Sequence, residues 1–361
     1  MSIDIGIVGL DKSGKTTIFN ALTKGQADTK SSTPHIGKAK VPEPRLKALA
    51  DMLQPKRVVP AEVSYIDIGA SVKGGDRGMG GQILSDLSNT DALINVVRAF
   101  TDDSIPHVEG SLDVERDITA IDLELTLHDA GIISRRLERI ETSLKGADPT
   151  ERQSLLREQQ LLEKLKAELE KEMPIRQLGL TADETKAISN FQFLTAKPLL
   201  IAVNIGEGQI GESTSLEAEL NSRHRGVGRG VIALCGKLEM ELTQLDEEAE
   251  KEYRTEFGIT EPVLERVIRL SYQLLDLITF FTTVSEEVKA WPIPKGTTAL
   301  KAAGKIHSDM ERGFIRAEAI SYDDLMKCDN LAEAHKKGRL RLEGKGYPVQ
   351  DGDVITFLFN I

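Results

Sequence analysis

Eight residues near the start, Gly9-Leu10-Asp11-Lys12-Ser13-Gly14-Lys15-Thr16, constrain this chain more than any other stretch. They satisfy G-x-x-x-x-G-K-[ST], a spacing that lets backbone amides curl round a phosphate at a helix N-terminus. The context fits. Ile3-Asp4-Ile5-Gly6-Ile7-Val8 is rich in β-branched residues and reads as a buried strand, and Thr17 to Leu22 opens a helix. The two glycines give the backbone the freedom the curl requires. Lys15 supplies a point charge for β- and γ-phosphates, and Thr16 a hydroxyl for Mg²⁺. Asp11, Lys12, Ser13, Gly14, Lys15, Thr16 and Thr17 are therefore the expected phosphate-binding stretch.

At 361 residues the chain is long enough for two or three domains. No apolar run reaches membrane-spanning length, and Met1-Ser2-Ile3-Asp4 does not read as a signal peptide. Two cysteines, Cys235 and Cys328, offer neither a disulfide framework nor metal-ligand spacing, so a cytoplasmic protein is expected, without membrane association. The net charge of −11 argues against nucleic acid binding over the whole surface, and DNA is not an expected partner. A local basic patch stays open.

Gly25 to Lys40 is polar and holds Thr29, Ser31, Ser32 and Thr33. In a phosphate-loop GTPase this position supplies a hydroxyl that completes the Mg²⁺ shell, and the sequence does not choose between Ser31, Ser32 and Thr33. Ala61-Glu62-Val63-Ser64-Tyr65-Ile66-Asp67 reads as a strand ending in an acid, with Asp67 placed to reach Mg²⁺ through water. Gly69 to Gly81 is glycine-rich, as suits a segment that rearranges when a phosphate leaves. Further buried strands are expected at Ala92 to Arg98, Pro198 to Asn204 and Gly230 to Leu234. Strands separated by helices imply an α/β, doubly wound, mostly parallel sheet.

That sheet is interrupted by a helical insertion. Ile133, Leu137, Ile140 and Leu144 recur at helical spacing, and Leu155, Leu161, Leu162, Leu165 and Leu169 form a facing seam. Between them Asp148 reads as an N-cap, with Pro149 at the first helical position and Glu151 three after the cap. The result is an antiparallel helical hairpin whose charged faces are either solvated or a partner surface. A short capped helix follows from Thr181, with Glu184 closing the box.

Asn204-Ile205-Gly206-Glu207 occupies the strand-to-loop position where GTPases carry N-K-x-D to read the base. Here the acid is one methylene longer and the lysine is replaced. A displaced carboxylate weakens the pairing with guanine's two N–H donors, which adenine lacks. Cys235 and Gly236 fall in the loop expected to form the other side of the base pocket. From about Phe280 the chain becomes a small α+β module, in which Lys336, Lys337, Arg339, Arg341 and Lys345 cluster. They are either an electrostatic footprint for RNA phosphates or a solvated helix end.

Taken together, these residues resemble the YchF family, the Obg-like ATPases of the translation-factor class of P-loop GTPases. The resemblance runs nearly end to end. It includes Gly6-Ile7-Val8-Gly9-Leu10, Phe19-Asn20-Ala21-Leu22-Thr23-Lys24, Pro42-Glu43-Pro44-Arg45-Leu46, Val72-Lys73-Gly74, Ile105-Pro106-His107-Val108, and the N-x-x-E of Asn204 to Glu207. Ala302 to Asp309, Gly313 to Ala317 and Asp351-Gly352-Asp353-Val354 look like a TGS domain, a β-grasp module. The resemblance implies a nucleotide domain over 1–117 and 191–279, a hairpin over 118–190 and a TGS domain over 280–361. It implies preference for ATP over GTP, slow Mg²⁺-dependent hydrolysis, and association with the ribosome or RNA through the TGS domain and hairpin. A monomer is expected. It maps onto His107 a histidine proposed to stand in for the water-orienting glutamine of other GTPases.

Several positions depart from the family pattern. Asp11-Lys12-Ser13 replaces Pro-Asn-Val, Asp67-Ile68-Gly69-Ala70 lacks the D-x-x-G glycine, and Ser71 follows where the glutamine would stand. The hydroxyl-bearing segment and the glycine-rich loop are shortened. Three functions follow as expectations: an ATP-hydrolysing switch on the translation apparatus, a GTPase of the Obg type, or a nucleotide-binding ribosome adaptor with little turnover.

Overall fold

In the computed structural model, which describes residues 3–25, 27, 34–68, 81–256, 259, 261–284, 286–328 and 330–360, the β-branched run Ile3–Val8 forms strand β1. The strands that follow are β2 (His35–Lys40), β3 (Arg57–Val59), β4 (Glu62–Asp67), β5 (Ala92–Arg98), β6 (Leu199–Asn204) and β7 (Arg229–Leu234). Later come β8 (Leu277–Val284), β9 (Glu287–Pro294), β10 (Phe314–Ser321), β11 (Arg341–Glu343) and β12 (Asp353–Phe359). Two compact units result, one of residues 3–38 and 64–264, the other of residues 39–63 and 265–361.

The first sheet has the order β2-β4-β1-β5-β6-β7. β1 pairs with β5, β5 with β6 and β6 with β7, all parallel, with Val8 opposite Asn95 and Arg98 opposite Asn204. Every residue of β5 and β6 is buried, as central strands covered on both faces require. Gly9, Asp67, Asn204 and Cys235 all stand at the carboxyl ends of strands of this sheet, where open α/β sheets bind ligands. β2 lies at the sheet edge, where its outward residues stay exposed. A polar stretch without an apolar period can thus form an edge strand.

The helix Val114–Ser143 lays Ile118, Ile121 and Leu125 on the sheet, then leaves it to pair with the helix Pro149–Leu169. Ile133, Ile140, Leu155, Leu162, Leu165 and Leu169 are buried between them, with Leu137 and Leu144 packed alongside. Asp148 caps the second helix, accepting from the amides of Thr150 and Glu151 at 2.9 Å each. The Thr181–Glu184 capping box is also formed. Asp129, fully buried, anchors the base of the hairpin by accepting from the Leu194 and Thr195 amides at 3.0 and 2.7 Å and from the Thr195 hydroxyl at 2.6 Å.

The second sheet runs β11-β10-β12-β8-β9-β3. β8 and β9 are antiparallel, as are β10 and β12, and Phe280, Phe314, Ile355 and Phe357 close a core with Ala302 and Ala303. β3 joins this sheet parallel to β9, through Arg57 opposite Glu287. The helical stretch after Thr298 is broken into Ala299–Ile306 and Ser308–Arg312. His307 causes the break: its backbone is extended (φ −158°), and its Nδ1 accepts from the Asp309 amide at 3.2 Å to start the second piece.

Candidate nucleotide site

Between β1 and the helix Lys15–Thr23 the backbone follows a path that only glycine takes without strain at two points. Gly9 has φ 146° and Gly14 φ 96°. A Cβ at Gly9 would lie 2.3 Å from the Val96 carbonyl oxygen, and one at Gly14 2.2 Å from Asn204 Nδ2. Lys12 also takes a left-handed conformation, φ 63°, at about 1–2 kcal/mol for an ordinary L-residue. The asparagine of the resembled family tolerates that region better. The Ile18 amide closes the first helical bond, to the Gly14 carbonyl at 3.0 Å, and Gly14 offers no side-chain cap. The first-turn amides of Lys15, Thr16 and Thr17 thus lack intrahelical acceptors, and the helix dipole adds its positive end there.

Lys15 is buried, and its Nζ donates to the Gly9 and Leu10 carbonyls at 3.0 and 2.8 Å. Burial lowers its pKa, against the opposing pull of Asp11 and Asp67. The Thr16 hydroxyl donates to Asp67 Oδ2 at 2.6 Å, while Asp67 Oδ1 is buried without a partner. A hydroxyl beside a buried carboxylate with an orphaned oxygen suits a hard cation. Among the described residues no group of three His, Cys, Asp or Glu gathers to hold a metal. That is compatible with Mg²⁺, which needs only one or two protein ligands beside substrate phosphates. The residues fit it.

Asn204 is buried at the end of β6 and joins two loops. Its Nδ2 donates to the Ser13 carbonyl at 2.9 Å, and its Oδ1 accepts from the Gly236 amide at 3.0 Å. The carboxamide therefore holds the phosphate loop against the loop after β7. Cys235 is buried beside it, and burial pushes its thiol pKa up. Glu207 is exposed and paired with Lys237 Nζ at 2.9 Å, so the acid of the N-x-x-E is matched by a cation from the opposite loop.

His107 lies in the loop after β5, with its side chain buried. Its Nδ1 accepts from the Glu109 amide at 3.1 Å, which leaves Nε2 as the protonated nitrogen facing Asp117 Oδ2 at 2.9 Å. Asp117 Oδ1 in turn accepts from Arg116 Nε and Nη2 at 3.0 and 2.8 Å. The His107–Asp117 pair closes against Leu10, Asp11 and Ser13 around a recess that has no room for a water molecule. Arg98 lines the same recess, stacked over Phe100 at 4.5 Å, with Nη1 buried and unpartnered.

Lys15, Thr16 and Asp67 are thus brought together, as are Ser13, Asn204 and Gly236. His107 flanks Asp11 with both ring nitrogens engaged. Ser31, Ser32, Thr33, Ala70 and Ser71 lie outside the described residues. Arg98, Asp117 and the pairing of Lys237 escaped sequence reading. Asp117 sits in an acidic helix start that looks like ordinary capping, and Arg98 ends a strand where a charge signals only the way out of the core.

Comparison with known proteins places relatives along the whole chain. The family model YchF-GTPase_C, "Protein of unknown function (DUF933)", matches residues 277–360. The chain is 40% identical over 370 residues to the "Ribosome-binding ATPase YchF" of Bacillus subtilis (strain 168), covering all of both. It is 39% identical over 370 residues to the protein of the same name from Escherichia coli O157:H7, again over the whole of both. The solved structure of the Schizosaccharomyces pombe YchF GTPase superposes with a TM-score of 0.86 at 31% identity, covering 99% of this chain and 98% of that one.

Proposed function

The chain belongs to the YchF family, and from that membership we propose that it is a slow, Mg²⁺-dependent ATP hydrolase that acts as a switch on the ribosome. The observation that carries the reading is the assembly of Lys15, Thr16 and Asp67 under a loop held open by Gly9 and Gly14. First-turn amides and the Lys15 ammonium bind the phosphates, and Asn204 keeps the loop in register with the base pocket. Mg²⁺ bound at Thr16 and Asp67 would offset charge on the β- and γ-phosphates. Catalysis of this kind is positional and electrostatic. His107 places the attacking water once it leaves Asp117.

The base is the finer question, because the relatives' names say ATPase and the solved structure's says GTPase. Glu207 supports ATP: its carboxylate is engaged by Lys237 rather than presented to guanine's donors. Ribosome association is supported by the relatives' names and by the exposed Lys336, Arg339 and Lys345 of the TGS module. We take the protein to be cytoplasmic and to act as a monomer; no helix among the described residues is long and apolar enough to cross a membrane.

Equilibrium ATP binding to wild type and Lys15→Ala tests the assignment. Loss of binding in the variant is expected, and unchanged affinity would refute it. Displacement of labelled ATP by GTP as readily as by ATP would favour the GTPase. Retained binding with no Mg²⁺-dependent phosphate release above the Lys15→Ala background would favour an adaptor. Cosedimentation with ribosomes in the presence of ADP or a non-hydrolysable ATP analogue tests the partner.

A further inference from the structure

Asp11 is a departure to which the described residues give no hydrogen-bonding role. It stands inside the phosphate loop, half-buried, where the resembled family carries proline. Among the described residues its carboxylate has no hydrogen-bond or ion-pair partner. It borders the closed recess with Ser13, Arg98, His107 and Asp117. Its charge is felt by the Lys15 ammonium, which is the group that must serve the β- and γ-phosphates. A carboxylate close enough to act on that ammonium also acts, with opposite sign, on the phosphate oxygens the ammonium would bind.

We propose that Asp11 biases this site toward the diphosphate, its carboxylate opposing the extra charge of a γ-phosphate so that ADP is held in preference to ATP. The proposal rests on the nucleotide-binding reading and adds to it which ligand state the resting protein retains. For an illustrative separation of about 10 Å at an effective dielectric of about 20, one added unit of negative charge opposite a carboxylate corresponds to a difference in affinity on the order of tenfold at low salt. Salt weakens the bias because Asp11 is only half-buried.

The test is the dissociation constant for ADP and for ATP, each with Mg²⁺, measured by titration calorimetry on wild type, Asp11→Asn and Asp11→Pro. Asp11→Asn should tighten ATP on the order of tenfold and ADP by less than about twofold, and Asp11→Pro should shift the ratio the same way. The wild-type preference for ADP should shrink between low and high salt, while that of Asp11→Asn stays flat. A ratio unmoved in both variants, with both nucleotides still bound, overturns the role of Asp11 alone. Wild type that binds neither nucleotide overturns the nucleotide reading and this one with it. Thermal melts identify a variant that misfolds, and the other variant and the salt series then decide.

Discussion

Replacing Asn204 by alanine separates a residue that holds the site together from one that merely touches a base. The Asn204 carboxamide gives one hydrogen bond to the Ser13 carbonyl and takes one from the Gly236 amide, and all three residues are buried. Alanine leaves both backbone groups without a partner. A buried polar group left unsatisfied costs about 1–3 kcal/mol, so two give roughly 2–6 kcal/mol. The vacated space lets water reach one or both, which brings the expectation to about 3 kcal/mol. In a unit of this size that lowers the melting temperature by about 6–12 °C. The assay is calorimetric melting of nucleotide-free protein, so that no ligand contact enters the comparison. Asn204→Asp should be at least as damaging at neutral pH, because a carboxylate cannot donate to the Ser13 carbonyl. If Asn204→Ala melts within about 2 °C of wild type yet loses nucleotide affinity, the bridge contributes little and Asn204 is a ligand contact after all.

Further expectations follow from other contacts. Lys237→Met releases the Glu207 carboxylate. Because the pair is exposed and so worth at most about 1 kcal/mol, GTP should gain on ATP by no more than roughly fivefold in competition binding. Lys12→Gly relieves a left-handed lysine and should raise stability by about 1 kcal/mol in urea unfolding; a loss would show that the ammonium has a structural role. Asp117→Asn drops the charge that holds His107, so phosphate release should rise, and adding His107→Ala should abolish the gain; an increase that survives the double change excludes His107 as its source. Phosphate bound near Lys15 should restore the proton affinity that burial removes. Binding at pH above the lowered native pKa and below about 10.4 should therefore take up protons, seen as a dependence of calorimetric heat on buffer ionisation enthalpy. The same depression means that the unfolded chain binds more protons than the native one in that window, so the Lys15 contribution to stability rises with pH through it.

What could be read from sequence was what leaves a local periodic mark. The glycine and lysine spacing of the phosphate loop, the aliphatic runs of β5 and β6 and the i, i+4 pattern of Ile133 and Ile140 each reflect a constraint satisfied within a few residues. Partnerships closed across the chain leave no such mark. Nothing near Asn204 announces that its amide will meet Ser13, 191 positions earlier, and nothing near Arg57 shows that it will pair beside Glu287. Edge strands are the intermediate case. β2 alternates in burial but places His35, Gly37 and Ala39 at its inward positions, and β3 is only three residues long, so neither prints an apolar alternation in the sequence.

The side chains that a nucleotide would recruit are already held by other parts of the chain, while the first-turn amides and Asp67 Oδ1 are not. Lys15 donates to the Gly9 and Leu10 carbonyls, Thr16 to Asp67, His107 to Asp117, and Glu207 accepts from Lys237. Binding is then partly the filling of unsatisfied groups and partly an exchange of contacts, and for the exchanged side chains net affinity is the difference between new and surrendered bonds. The exchanges are unequal. Lys15 surrenders bonds to neutral carbonyls and gains bonds to charged oxygens, where attraction between opposite charges adds to the hydrogen bond. In the proposed reaction His107 would surrender a buried carboxylate to face a water, a poorer trade. On the proposed function, the site would bind phosphate more readily than it hydrolyses it, and loss of the Asp117 contact would be the step for a partner to assist.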